Sequence, residues 1–439
     1  MSTLTDTFTL TGIPASDGIV VGVAGSGIVI AQELTPSELA ALDPEIVTAI
    51  ATAHGSSTAH VAIMARALGV PAVVGVGREL LAIATGATVL LDGGLGMVTV
   101  EPDDGLIATA LRRRREQDER AIAALPGAQR DATLAGGEHI HVLANIGSVR
   151  EARRAVQFGA EGIGMLRTEF LFLNREQLPT EDEQFEVMLE IGEQLAGRPL
   201  IVRTLDAGAD KPLQALPLPA EANPFLGLRG IRVGLHRPEL LLTQLRAILR
   251  VAERHPLKLM LPMVTTLGEV LESKRLLALA REQTGIDAPL ELGVAVEVPA
   301  AALTAAQMAP HVDFFSLGTN DLTQYALAAD RGDERLAHLL SGPHPAVLQL
   351  AAAVVRAAAT HGRWVGVCGD LGGDPASAVL LAGLGVDELS MSPVLIPQVK
   401  AALRQVSLED ARHAATAAMD AVDAESARAF GLALLDGAM

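Results

Sequence analysis

The sequence predicts an α/β protein in two parts, a small swivelling α/β domain followed by a (β/α)8 barrel of the TIM type. Three observations carry this reading. The chain has 439 residues, too many for one ordinary core, so two or three domains are expected. Residues 9 to 102 alternate short Val/Ile-rich runs with two helix-like stretches. From residue 138 onward eight short apolar runs alternate with helical patterns over about three hundred residues, as an eight-stranded parallel barrel requires.

In the first part, residues 1–102, the strand candidates are GIVVGVA, GIVIA, VPAVVGV, ATVLL and MVTVEP. The helix-like stretches follow Thr35-Pro36 and His60, and Gly25-Ser26-Gly27 forms a short flexible joint between the first two strands. Residues 103–136 form a helical linker: LRRRREQDERAIAAL sets apolar positions at helical spacing among charges, the pattern of an exposed, solvated helix. Residues 137–439 supply the barrel runs HIHVLANIG, EGIGML, PLIVRTL, LKLMLPM, ELGVAVEV, DFFSLGTN, WVGVCGD and ELSMSP. These do not alternate polar with apolar, which points to parallel strands buried on both faces. The stretch from Glu176 to Arg198 reads as one long helix or two.

Composition narrows the function classes. Hydrophobic residues make up 49% of the chain and charged ones 20%, as in a globular protein. No apolar run reaches the roughly 18 residues of a membrane span, and MSTLTDTFTLTG lacks the marks of a secretory signal, so a soluble cytoplasmic protein is expected. Cys368 is the only cysteine, which excludes an internal disulfide framework. A net charge of −18 repels nucleic acid and anionic lipid, so an anionic substrate needs a local basic pocket.

Active groups of such a barrel gather at the carboxyl ends of its strands. The residues there are Arg167 after the second run, Arg203 in the third, Glu297 in the fifth, Asn320 and Asp321 after the sixth, and Cys368 in the seventh. One arginine at a strand end can be a salt-bridge partner; two, with Arg229 and Arg331 on nearby loops, make a coherent anion pocket, because guanidinium forks grip carboxylate and phosphate bidentately. Lys211 could add a point charge. Glu297 and Asp321 offer hard oxygen ligands for Mg²⁺ or Mn²⁺, and on spacing alone a pair of helix caps or buried ion-pair partners is an equal reading. Cys368 is either a proton donor or an inert buried thiol. His54, His311 and His344 show no metal-site spacing. His60 lies where the polar GSST turns into an amphipathic helix; unpaired backbone N–H groups and the dipole there suit a phosphohistidine, while a capping or surface histidine fits equally well.

GIPASDGI, LTPSELAAL and STAHVAIMAR, followed in order by GAEGIGMLRTEFLF, IVRTLDAGADK, NPFLGLRGIR, VEVPAA, DFFSLGTNDLTQYALAADRG and GVCGDLGGD, resemble enzyme I of the bacterial phosphoenolpyruvate:sugar phosphotransferase system and the wider class of phosphoenolpyruvate-utilising enzymes. The resemblance spans nearly the whole chain. It implies a phosphohistidine domain swinging against a phosphoenolpyruvate-binding barrel, with His60 as acceptor through Nε2. It further implies that Arg167, Arg203, Arg229, Asn320 and Arg331 bind phosphoenolpyruvate with Lys211 nearby, that Glu297 and Asp321 hold Mg²⁺, and that Cys368 protonates the enolate carbon as pyruvate forms. A homodimer through the barrel is the family's assembly.

Three departures from the family pattern stand out. Ala59 and Ser56 replace a serine and a glycine of the loop around the acceptor histidine, and Asp370 replaces a glutamate after the Cys-Gly pair. The third is larger: the helical subdomain that docks the carrier protein HPr is expected between the first strand and LTPSE, yet GVA passes through Gly25-Ser26-Gly27 directly to IVIAQELTPSE. Autophosphorylation is therefore expected to survive and handover to HPr to be impaired, and a Gly-Ser-Gly joint favours an engineered junction. Two other readings are weighed. A dikinase or phosphoenolpyruvate synthase would share the histidine and barrel, but no nucleotide-binding domain precedes His60 and no P-loop occurs. A non-catalytic phosphoenolpyruvate sensor would have no use for His60, Glu297, Asp321 and Cys368 together.

Overall fold

The computed structural model describes residues 8–16, 18–25, 27–34, 38, 46–55, 65, 70–173, 175–209, 213–331 and 333–437. Contacts divide the chain into two units, residues 1–123 with 329–340, and residues 124–328 with 341–439.

The first unit holds an eight-stranded mixed sheet in the order β1-β8-β7-β3-β4-β5-β6-β2. Its strands are β1 (Phe8–Thr11), β2 (Ile13–Ser16), β3 (Ile19–Ala24), β4 (Gly27–Ala31), β5 (Ala49–Thr52), β6 (Ala72–Val74), β7 (Thr88–Asp92) and β8 (Met97–Val100). The five Val/Ile-rich runs are β3, β4, β6, β7 and β8. Hydropathy does not announce β1, β2 and β5: FTLT and IPAS are edge segments interrupted by Gly12 and Pro14, and AIAT is short and built on alanine. β3 and β4 pair in parallel, Val23 against Gly27 and Ala24 against Ile28, although only two residues separate them; Gly25 and Gly27 make the step at φ 78° and 94°. The two helix-like stretches after Thr35-Pro36 and His60 fall largely outside the described residues, as does Ser26.

Helix α1 (Asp104–Ala124) falls within the expected helical stretch 103–136 and belongs mostly to the first unit. Arg113 pairs with Asp92 at 3.1 Å, and Ala110 packs with Ile19 and Leu90. Pro126 lies just past its end, where a helix cannot continue unstrained.

The second unit is a closed parallel barrel of eight strands. They are β9 (His141–Ile146), β10 (Ile163–Arg167), β11 (Leu200–Arg203), β12 (Leu257–Leu261), β13 (Glu291–Val296), β14 (Phe314–Leu317), β15 (Trp364–Val367) and β16 (Glu388–Met391), with β16 pairing back onto β9. Each of the eight predicted runs matches one strand, with β10 running one residue past EGIGML to Arg167. Met165, Ile201, Met260, Ala295, Phe314 and Cys368 form one buried apolar cluster drawn from five of these strands and the residue after β15. Gly293 is required here, because a Cβ at that position would sit 2.2 Å from the Phe314 ring. The stretch that read as one helix or two is a single helix, α2 (Glu181–Glu193), begun by a reciprocal capping box between Thr180 and Glu183. No helix among the described residues is long and apolar enough to cross a membrane.

Candidate active site

The strand-end residues converge at one end of the barrel. Arg167 and Arg203 close β10 and β11 and stand opposite each other in register. Thr168 fixes that corner by donating its hydroxyl to the Arg203 carbonyl at 2.9 Å. Glu297 and Cys368 each follow their strands by one residue, and Asn320 and Asp321 lie in the first turn of α3 (Thr319–Leu327), which opens directly after β14. Arg229 comes from the long connection after β11.

These groups form one buried charge network. Arg229, fully buried, donates Nε and Nη2 to the two oxygens of Asp206, both at 3.1 Å, and Nη1 to Asp321 Oδ1 at 2.7 Å. Tyr325 also receives that Nη1 at 3.2 Å and in turn donates to the Phe225 carbonyl. Arg203 donates to Glu297 Oε1 at 3.3 Å and to Glu169, and lies 3.6 Å from Asp206, which therefore links the two guanidiniums. Glu297 takes a second bond from the Met263 N–H at 2.6 Å. Of the two readings of Glu297 and Asp321, ion-pair partner is the one visible in the structure.

Burial and charge set the protonation states. Burial disfavours the charge on Arg203, but Glu169, Asp206 and Glu297 outweigh it and hold its pKa above the ordinary value. Arg229 is likewise raised against burial by Asp206 and Asp321. Burial pushes Glu297 up to about 7; Arg203 opposes this, while Asp321 and Asp206 add to it. Cys368 is pushed up to about 11, first by burial and then by Glu297, so it is a neutral thiol at physiological pH.

Close packing shapes the mouth. A Cβ on Gly318 would lie 2.4 Å from Glu297 Cγ, and one on Gly369 would lie 1.9 Å from Thr319 Oγ1. Asn320 accepts the Asp370 N–H through Oδ1 at 2.7 Å, tying the loop after β14 to the loop after β15. Asn145 on β9 donates to the carbonyls of Cys368 and Ser390, both at 3.1 Å, and so secures the backbone that carries the thiol.

Arg167, Arg203, Arg229, Glu297, Asn320, Asp321 and Cys368 are thus brought together. Arg331 is buried in the segment 329–340, which belongs to the first unit. His60 and Lys211 lie outside the described residues. Sequence reasoning missed Glu169, Asp206, Asn145 and Tyr325, because it sought cations for an anionic substrate and not the carboxylates that hold those cations. The signal for Glu169 and Asp206 was present in RTEF and RTLD, where an acid follows the arginine by two and three residues.

The chain matches the model of the PEP-utilising enzyme, PEP-binding domain over residues 126–408 and that of the PEP-utilising enzyme, mobile domain over residues 23–96. It is 46% identical over 410 residues to a multiphosphoryl transfer protein of Rhodobacter capsulatus, covering 91% of this chain and 48% of that protein. It is 45% identical over 417 residues to a phosphoenolpyruvate-protein phosphotransferase of Haloferax volcanii, covering 92% and 72%. A phosphoenolpyruvate-protein phosphotransferase of Haemophilus influenzae is 43% identical over 399 residues, covering 89% and 69%. The chain therefore spans about half the length of the multiphosphoryl transfer proteins and about 70% of these two phosphotransferases. With its barrel, its mobile-domain match and this level of identity, the chain belongs to the phosphoenolpyruvate-utilising enzymes, in the family of the phosphoenolpyruvate-protein phosphotransferases.

Proposed function

We propose that the protein transfers the phosphoryl group of phosphoenolpyruvate to its own His60 and releases pyruvate. The observation that carries the reading is the buried network at the barrel mouth, which joins Arg203 to Glu297 and Arg229 to Asp321, with Glu297, Arg203 and Arg167 acting on a neutral thiol, Cys368. Arg167, exposed at the end of β10, and the buried Arg203 Nε, which has no hydrogen-bond partner among the described residues, are donors for the phosphate and carboxylate of the substrate. In the transfer the bond from phosphorus to the enol oxygen breaks, a P–N bond to the imidazole forms, and the electron pair remains on the enolate. The Cys368 thiol gives its proton to the enolate carbon, and solvent reprotonates the thiolate.

The network also fits a hard divalent cation. Glu169, Asp206, Glu297 and Asp321 gather around the guanidiniums of Arg203 and Arg229, a concentration of hard oxygen atoms suited to such an ion. The raised pKa of Glu297 reflects burial with too little compensating charge, which a cation would reverse. Glu297 and Asp321 would hold Mg²⁺ or Mn²⁺, which supplies Lewis-acid polarisation of the phosphoryl oxygens.

Onward transfer to HPr is proposed to be impaired. The parallel pair β3 and β4 supports this: parallel neighbours ordinarily need a crossover of about a dozen residues or more, and here two suffice. The swing of the first unit, dimerisation through the barrel and a cytoplasmic setting complete the reading.

Incubation with phosphoenolpyruvate and Mg²⁺ tests it. One acid-labile, alkali-stable phosphoryl group is expected per chain, absent from His60→Ala. Labelling that requires ATP would indicate dikinase chemistry, no labelling of the wild type would indicate a sensor, and equal labelling of His60→Ala would show the acceptor to be another residue.

A further inference from the structure

At the opposite end of the barrel from the charge network, three side chains with metal-binding atoms meet. His139 and His141 sit at i and i+2 where β9 begins, so they share a face, and Glu161 precedes the neighbouring β10 by two residues. Glu161 Oε2 lies 2.8 Å from His139 Nε2 and 3.5 Å from His141 Nδ1. One atom from each residue falls within 4.8 Å of the others, and the imidazole centroids are 4.2 Å apart at 60°. The second carboxylate oxygen, Oε1, is held from behind by Lys400 Nζ at 2.8 Å and by the Ala132 N–H at 3.2 Å. That leaves Oε2 aimed at the imidazoles, the kind of supporting bond that orients a metal ligand.

We propose that His139, His141 and Glu161 form a binding site for a divalent cation of borderline softness, of the zinc class, with its remaining positions open to water. Two imidazoles and a carboxylate select such ions over Mg²⁺, which prefers an all-oxygen shell and keeps its waters. The histidines are solvent-accessible, which provides an entry path. Lys400 and Lys258 oppose a cation electrostatically, but Lys400 bonds the far oxygen, and Glu388 acts on His141 with the opposite sign. A bound ion would join the start of β9 to the turn before β10, and would displace any proton shared between the histidines and Glu161.

The site is tested on the full chain, stripped with chelator and titrated calorimetrically with Zn²⁺ at pH 7.5. The wild type is expected to bind one equivalent more than His139→Ala/His141→Ala, with at least a hundredfold loss of affinity in the variant, and Co²⁺ is expected to give visible absorption bands only in the wild type. Millimolar Mg²⁺ should not compete. Loss of the imidazole partners of Glu161 should lower the melting temperature of the variant without unfolding it at 25 °C, so both proteins are titrated in the folded state, as circular dichroism checks. Equal Zn²⁺ stoichiometry and affinity in wild type and variant, or displacement of Zn²⁺ by Mg²⁺, would overturn the proposal. The measurement requires no phosphoenolpyruvate, so its failure would leave the phosphotransfer reading untouched.

Discussion

Arg229 is clamped on two sides by carboxylates, Asp206 on Nε and Nη2 and Asp321 on Nη1. Removing one acid from a buried pair leaves its partner's charge uncompensated, which costs about 3–5 kcal/mol. Asp206→Ala should therefore lower the urea midpoint strongly with little change in the slope of the transition. A midpoint within a tenth of a molar of wild type would show that the clamp contributes little to the fold.

Gly318 adopts ordinary backbone angles, φ −84°, so a side chain there is penalised by space alone. Its Cβ would press on Glu297 Cγ at 2.4 Å. Gly318→Ala should displace that carboxylate, slow phosphoenolpyruvate-dependent labelling tenfold or more, and cost about 1–3 kcal/mol of stability through overpacking. Labelling at the wild-type rate would mean that the position of Glu297 does not matter to the reaction.

Stability should fall with rising pH across a range where many proteins are near their best. Burial raises Glu388 from 4.5 to about 7, with Asp387 and Glu161 adding to the effect and Lys258 and His141 opposing it. The folded chain therefore keeps a proton that the unfolded chain has released. The stability this represents is fully present below about pH 4.5 and is lost as pH rises through about 7, on the order of 3 kcal/mol for the group. Glu297 acts with the same sign. Unfolding free energies at pH 5 and pH 8 should differ less in Glu388→Gln than in the wild type; parallel profiles would contradict the assignment.

Cys368 is the only thiol, so its chemistry can be followed directly. With a pKa of about 11 and little exposure, it should react with a disulfide reagent at pH 8 at least roughly a hundredfold more slowly in the native state than in denaturant. If the proposed reaction holds, Cys368→Ser should still become phosphorylated while pyruvate release slows, because the substitution alters the proposed proton donor and not the phosphate site. Unchanged pyruvate kinetics would remove Cys368 from the reaction.

The barrel was legible in the chain because its signal is local and repeated. Runs such as LKLML and ELGVAV are buried on both faces, and that lack of alternation persists through all eight strands. The residues closing those runs could be named for the same reason: a barrel strand delivers its last residues to one end whatever the loops do. In the first unit the legible strands were those rich in valine and isoleucine, whereas β1, β2 and β5 owe their place to pairing with distant partners, Phe8 with Val100 and Ile13 with Val74 among them.

By itself the sequence determined the two-part architecture and the polar groups that close the barrel strands, since both follow from short-range hydropathy and chain order. Only the tertiary structure decided how those groups are paired. Asp206 and Asp321 lie 23 and 92 residues from Arg229, and Glu297 lies 94 from Arg203. Such pairings, and the protonation states they impose, depend on burial and on distances across the closed barrel, neither of which is a property of any local stretch of chain.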